Sequence, residues 1–274
     1  MSEDRIHRTV SADGTELTGR VHGTGPPLVL VSGIGDGENA PFLVPQLSER
    51  FTCYSMSLRG RGLSGAGPDH DPDRLVEDVT AFIDSVGEPV GLAGHSRGAA
   101  LALGAAAQAD AVSVVAVFEP HVIEFYTDKH VARAESALER MQAAAAEGEV
   151  VAAAEIFFEA ITLPNPDELA ILAKVRAFDS MGPNVPTLIN DISQWQLPRS
   201  DDMLQLEHAT MPVLLMHGTR THPFYKDVTR RLVERLPNAQ THELAGAGHF
   251  SPMFAPEPIA ERLLRFFDEE LEPA

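Results

Sequence analysis

Gly94-His95-Ser96-Arg97-Gly98 decides the fold of this chain, and it does so through its flanks. Upstream, Val90-Gly91-Leu92-Ala93 reads as a short, fully buried strand. Downstream, residues 99–107 are alanine, leucine and glycine only, which predicts a buried helix with little side-chain bulk. A Gly-x-Ser-x-Gly between strand and helix is a strained turn that pushes a serine hydroxyl out of the backbone. The pentapeptide alone is a weak signal, and the strand–turn–helix setting makes it a strong one. The two glycines imply that neighbouring chain passes too close for a Cβ. Ser96 is the candidate nucleophile.

Working outward, strand-like and helix-like segments alternate through the first 120 residues. Residues 6–10 and 16–22 read as paired strands around the Asp13-Gly14 turn. Strands are expected at 28–31, 52–56 and 112–118, with a helix at 42–49. Another helix is expected from Pro72 to about Val86, its early acidic residues matching the helix dipole. Such alternation implies a mostly parallel sheet covered by helices on both faces. Residues 121–209 break the rhythm. Helical patterns at 131–146, 150–160 and 168–178 are followed by proline-punctuated joints, and no strand is expected. The rhythm returns with strands at 213–216 and 240–244 and helices at 227–236 and 258–271. The expected organisation is an α/β core at 1–120 and 210–274, interrupted by a helical cap at 121–209.

At 274 residues, 44% hydrophobic and net charge −19, the composition is that of a soluble acidic protein. That charge speaks against nucleic acid or an anionic membrane as partner. Cys53 is the only cysteine, which excludes an intramolecular disulfide and reads as a buried core thiol. The charged N-terminus lacks a signal-peptide apolar run, so the cytoplasm is the expected compartment. Oligomeric state is not legible.

A serine hydroxyl needs a base within hydrogen-bond reach. Among eleven histidines, His249 lies in the glycine-rich loop Ala245-Gly246-Ala247-Gly248-His249 after the last strand. Such a loop carries an imidazole over the strand ends without burying it in the core. His249 follows the serine in the chain order this arrangement requires, and it is the candidate base.

With these residues in view the chain resembles the α/β-hydrolase fold superfamily, in its serine-hydrolase branch with a helical cap. Further matching pieces are Val31-Ser32-Gly33-Ile34-Gly35, Leu58-Arg59-Gly60-Arg61-Gly62-Leu63-Ser64 and Pro212-Val213-Leu214-Leu215-Met216-His217-Gly218. The resemblance implies an eight-stranded, mostly parallel sheet. It also implies a cofactor-independent hydrolase of a small carboxylic ester or lactone, with no metal. By carry-over, the backbone N–H groups of Ile34 (after Gly33) and Arg97 form the oxyanion hole. Dehalogenases and epoxide hydrolases of this fold need Asp where Ser96 stands, which excludes them. C–C bond hydrolysis, perhydrolysis and slow-turnover ligand binding remain open. A dinucleotide loop at 33–38 is rejected, because Glu38 stands where a small residue is required.

The acid of the site departs from the family pattern. The usual aspartate position, in His217-Gly218-Thr219-Arg220-Thr221-His222-Pro223, holds Thr221. Either serine and histidine work unaided, or another carboxylate serves. Glu119, just past the strand that follows the nucleophile's helix, is favoured, because that strand end neighbours the elbow in a parallel sheet. Members similar to zearalenone-hydrolysing lactonases use an acid at this place. The bland reading is a structural Glu119; Asp227 is the next candidate, expected to start a helix and face away. On the Glu119 reading Thr221→Ala should matter little. Trp195, His121 and His222 are expected to line the substrate pocket. Arg97's side chain is expected to make a surface or supporting contact, such as pairing with an acid, with a direct substrate role as the alternative. His95 is expected to pack under the elbow and Ser64 to serve in a turn.

Overall fold

A computed structural model describes residues 5–33, 43–199 and 204–271. Strands β1 (Arg5–Val10) and β2 (Glu16–His22) form the expected hairpin. Its turn is closed by the Thr15 amide donating to the Asp13 carboxylate at 3.0 Å, with Gly14 at φ +88°. Next come β3 (Pro27–Val31), β4 (Thr52–Ser57), β5 (Val90–His95), β6 (Val112–Phe118), β7 (Val213–Gly218) and β8 (Ala239–Leu244). They form one eight-stranded sheet in the order β1-β2-β4-β3-β5-β6-β7-β8. The β1–β2 and β2–β4 pairs are antiparallel and the other pairs parallel. The central strands are nearly continuous apolar runs because helices cover both of their faces.

Helices α1 (Val44–Leu47), α2 (Pro72–Asp84) and α3 (Arg97–Ala106) alternate with the first strands. Asp71 caps α2 by accepting the Asp73 amide, and Pro72 supplies a preset φ at its start. The helix expected at 42–49 is shorter than its pattern, and residue 42 lies outside the described residues. Between β6 and β7, the regular elements among the described residues are all helical. They include α4 (Asp128–Ala146), α5 (Val150–Ala160), α6 (Pro166–Lys174), α7 (Ala177–Met181) and α8 (Val185–Ser193). The single pattern at 168–178 breaks into α6 and α7 where Arg176 takes a positive φ of 56°.

Helices α9 (Pro223–Arg235), α10 (Ser251–Phe254) and α11 (Glu257–Leu271) complete the chain. One hydrophobic layer joins the sheet to α2, α3 and α9, and another joins its opposite face to α1 and α11. A third cluster lies within α4–α8 and reaches Phe250 beside His249. Cys53 is fully buried in the α1/α11 layer, and burial pushes its thiol up to about 12.

Candidate active site

The turn at Ser96 is as tight as its glycines imply. A Cβ on Gly94 would sit 2.7 Å from the Ala99 Cα, and one on Gly98 would sit 2.3 Å from the Val31 carbonyl oxygen. Ser96 itself takes φ 56°, ψ −125°, a strained conformation for a residue with a side chain. The surrounding backbone holds it there: the Ser96 amide donates to the Phe118 carbonyl at 3.0 Å, and the His121 amide donates to the Ser96 carbonyl at 2.9 Å.

Register brings the acid alongside. His95 pairs with Phe118 across β5 and β6, so the next residues, Ser96 and Glu119, leave adjacent strand ends together. Glu119 is also at positive φ, 47°, with its amide on the Met216 carbonyl. Ser96 Oγ lies 3.0 Å from His249 Nε2, and His249 Nδ1 lies 2.8 Å from Glu119 Oε2. Glu119 Oε1 accepts the Gly218 amide at 2.9 Å, and Oε2 accepts the Thr221 hydroxyl at 2.7 Å. With the carboxylate surrounded by donors, His249 carries its proton on Nδ1 and presents the Nε2 lone pair to the serine. Burial raises the Glu119 carboxyl above its ordinary range, the Gly218 and Thr221 hydrogen bonds opposing it, and burial lowers the His249 imidazole.

Several expectations need correction. His249 is only 1% exposed, because the helices after β6 close over the strand ends. Thr221 is no idle occupant of the usual acid position, since its hydroxyl holds Glu119. His222 is not part of the wall around Ser96: its Nδ1 accepts the Phe224 amide at 3.2 Å and caps α9. That helix begins at Pro223, four residues before the expected start, and leaves Asp227 exposed and paired with Arg230. His95 does more than pack, since its Nε2–H donates to the His249 carbonyl at 2.9 Å and pins the base's loop. Ser64 does serve in a turn, its hydroxyl donating to the Ser57 carbonyl.

Trp195 and His121 do meet at the site, lining a cavity of about 30 Å³ beside Ser96 together with Gly33, Phe157 and Leu188. Gly33 lies against the serine, where a Cβ would come within 2.6 Å of the Ser96 Cβ. Ile34 lies outside the described residues. Arg97 opens α3, where the first N–H groups have no intrahelical acceptor. Its side chain pairs with an acid as expected, Asp191, at 2.7 Å.

Two contributors escaped the sequence reading. Tyr225 stacks on His249 at 4.2 Å and donates its hydroxyl to the Thr162 carbonyl at 2.7 Å, leaving oxygen lone pairs 3.2 Å from Nε2. Glu168, on α6, accepts the Phe250 amide at 2.6 Å and so braces the His249 loop from the helical layer. A tyrosine and a glutamate at helical positions carry no signal of this kind in one dimension. Among the described residues, no three His, Cys, Asp or Glu side chains gather as metal ligands, and no helix is long and apolar enough to cross a membrane.

Comparison with known proteins agrees with this architecture. A chain that is 28% identical over 97% of both sequences is the 2-(acetamidomethylene)succinate hydrolase of Mesorhizobium japonicum. The N-formylmaleamate deformylase of Pseudomonas putida is 41% identical over 93 residues, spanning 32% of this chain and 35% of that one. An alpha/beta hydrolase from Sphaerobacter thermophilus superposes with a TM-score of 0.78 at 29% identity, covering 95% of this chain and all of its own. The profile of the alpha/beta hydrolase family matches residues 28–262. This chain, a hydrolase by its fold and by its relatives, belongs to the alpha/beta hydrolase family.

Proposed function

We propose that this hydrolase cleaves a small carboxylic ester or lactone through an acyl-enzyme on Ser96. One observation carries the reading: the continuous hydrogen-bonded chain from Ser96 through His249 to Glu119, buried beside a cavity. Ser96 Oγ bonds to the acyl carbon while its proton passes to His249 Nε2. The C–O bond to the leaving alkoxide then breaks, and Nε2 returns that proton to it. Water adds its hydroxyl to the acyl carbon, its proton goes to Nε2, and release of the carboxylic acid restores the serine. The Arg97 amide and, by carry-over, that of Ile34 hold the oxyanion. Loss of one such donor typically costs about 2.7–4 kcal/mol of transition-state stabilisation. Phe157, Leu188 and Trp195 of the helical layer line this cavity and would contact the substrate.

The names of the two curated relatives favour a second reading, hydrolysis of an N-acyl group. The same site performs it with His249 delivering its proton to a leaving nitrogen.

The test is fluorophosphonate labelling read by intact mass. Wild type takes one label and Ser96→Ala takes none; a wild type that stays unlabelled overturns the acyl-enzyme and favours ligand binding.

A pH profile probes the acid. The Thr221 hydroxyl stabilises the Glu119 carboxylate, so removing it raises Glu119 further. The pair then takes up its inactivating proton at higher pH. Thr221→Val is expected to shift the acid limb of kcat/KM upward by roughly 0.5–1 pH unit, one hydrogen bond's worth. An unmoved limb removes Thr221 from the site's electrostatics.

A further inference from the structure

Arg97 has a half-used guanidinium at the edge of the reaction site. Its Nη1 donates to Asp191 Oδ2 at 2.7 Å. Nε and Nη2 are buried and have no hydrogen-bond partner among the described residues. These two atoms form one edge of the guanidinium and direct two N–H bonds the same way, which is the fork that takes both oxygens of a carboxylate. The side chain is 15% exposed and lines the cavity that also holds Ser96.

Asp191 cannot satisfy that edge, because it is already committed. Its Oδ2 also accepts Arg61 Nη2 at 2.5 Å, and its Oδ1 lies 2.6 Å from His70 Nδ1. Two guanidiniums therefore share one carboxylate. Burial alone would raise Asp191, but the Arg97 and Arg61 charges and the His70 hydrogen bond hold it well below the ordinary carboxylate range. The Arg97 guanidinium stands beside the nucleophile in a protein of net charge −19. Apart from His121 and Thr162, the rest of the wall is apolar, formed mainly by Phe157, Ile161, Leu188, Ile192 and Trp195. A buried cation with two idle N–H groups is costly unless a ligand completes it.

We propose that the Nε/Nη2 edge of Arg97 is a carboxylate subsite, and that the substrate is a short acyl compound carrying a free carboxylate near its scissile carbonyl, such as a half-ester of a dicarboxylic acid. This rests on the acyl-enzyme reading and names its substrate class. Asp191 is the positioning residue, holding the guanidinium through Nη1 beside the cavity. The anion adds selectivity rather than chemistry: it seats the acyl chain over Ser96 without taking part in bond making.

The experiment compares 4-nitrophenyl hemisuccinate with 4-nitrophenyl butyrate, a neutral ester with the same acyl chain length. Wild type is expected to prefer the hemisuccinate at least tenfold in kcat/KM, mainly through KM. Arg97→Met, which keeps the stem and the backbone N–H, should bring the ratio close to one. Arg97→Lys should restore part of it, as a charge without the fork. The ratio within each variant cancels any loss common to both esters, including that from disturbed folding. Succinate, but not succinamide, should also slow fluorophosphonate labelling of wild type and fail to do so in Arg97→Met. A wild type that is labelled on Ser96 yet prefers the butyrate, or is not protected by succinate, overturns the subsite and leaves the acyl-enzyme standing. An unlabelled wild type overturns both.

Discussion

Replacing Glu119 by Gln is expected to lower kcat by roughly 10³–10⁴-fold with the fold retained, the scale found for loss of a triad acid. The reason lies in what the carboxylate accepts. Its Oε1 takes the Gly218 amide, and its Oε2 takes both the Thr221 hydroxyl and His249 Nδ1. A glutamine must keep its carbonyl on Gly218, because a backbone N–H cannot face an NH₂ group. Its amide nitrogen then points at His249 Nδ1 and donates. The imidazole answers by moving its proton to Nε2, which turns a donor toward Ser96 and removes the base. Volume and burial are conserved, so the thermal transition should move little. Turnover of an ester by the variant, with circular dichroism to verify folding, is the measurement. A fall of less than tenfold would return Glu119 to a structural role.

Asp78→Ala is expected to cost about 3–5 kcal/mol of stability, the penalty of stranding a buried charge. Arg59 and Asp78 are both fully buried and meet through two hydrogen bonds, Nε to Oδ2 at 2.6 Å and Nη2 to Oδ1 at 2.7 Å. Arg59 Nη1 also reaches Asp13 Oδ2 at 2.8 Å and the Asp69 carbonyl at 2.7 Å. One guanidinium thus ties the segment after β4 to α2 and to the β1–β2 turn. Alanine removes the bidentate partner and opens a cavity, and the remaining bond to Asp13 cannot neutralise the Nε and Nη2 side. Urea unfolding should show a lower midpoint at unchanged slope. The paired change Arg59→Met with Asp78→Leu should recover much of the loss, since hydrophobic isosteres of a buried pair are often neutral. A single-variant cost below 1 kcal/mol would show that water reaches the cation.

Arg59 and Arg61 illustrate why the rest of the molecule was hard to read. In one dimension, Arg59-Gly60-Arg61-Gly62 is a polar, glycine-rich turn, and such turns are usually solvated. Both side chains are instead fully buried, because partners 19 and 130 residues away supply carboxylates. Thr221 fails in the opposite way. Judged alone it cannot stabilise an imidazolium, so the position looked vacant. Its value lies in holding a carboxylate 102 residues away. His222 looked like a pocket residue because it follows a strand end, yet a following Pro and a free helix start made it a cap.

Backbone geometry and burial periodicity are local properties, and the sequence by itself determined what depends on them. The Gly-x-Ser-x-Gly spacing marked the Ser96 turn, with a glycine at 94 against the following helix and one at 98 against the end of β3. Apolar runs and helical spacing set the strand and helix order, hence the parallel sheet and the helices between β6 and β7. The nomination of Glu119 joined the missing acid at Thr221 and a family resemblance to the rule that consecutive parallel strands end side by side. Which side chains bond to which was decided by the tertiary structure alone. Thr221 on Glu119, Tyr225 on His249, Glu168 on the His249 loop and Asp191 between two arginines all depend on register, side-chain direction and the closing of helices over the strand ends. Those contacts span tens of residues to more than a hundred, and no local pattern encodes them.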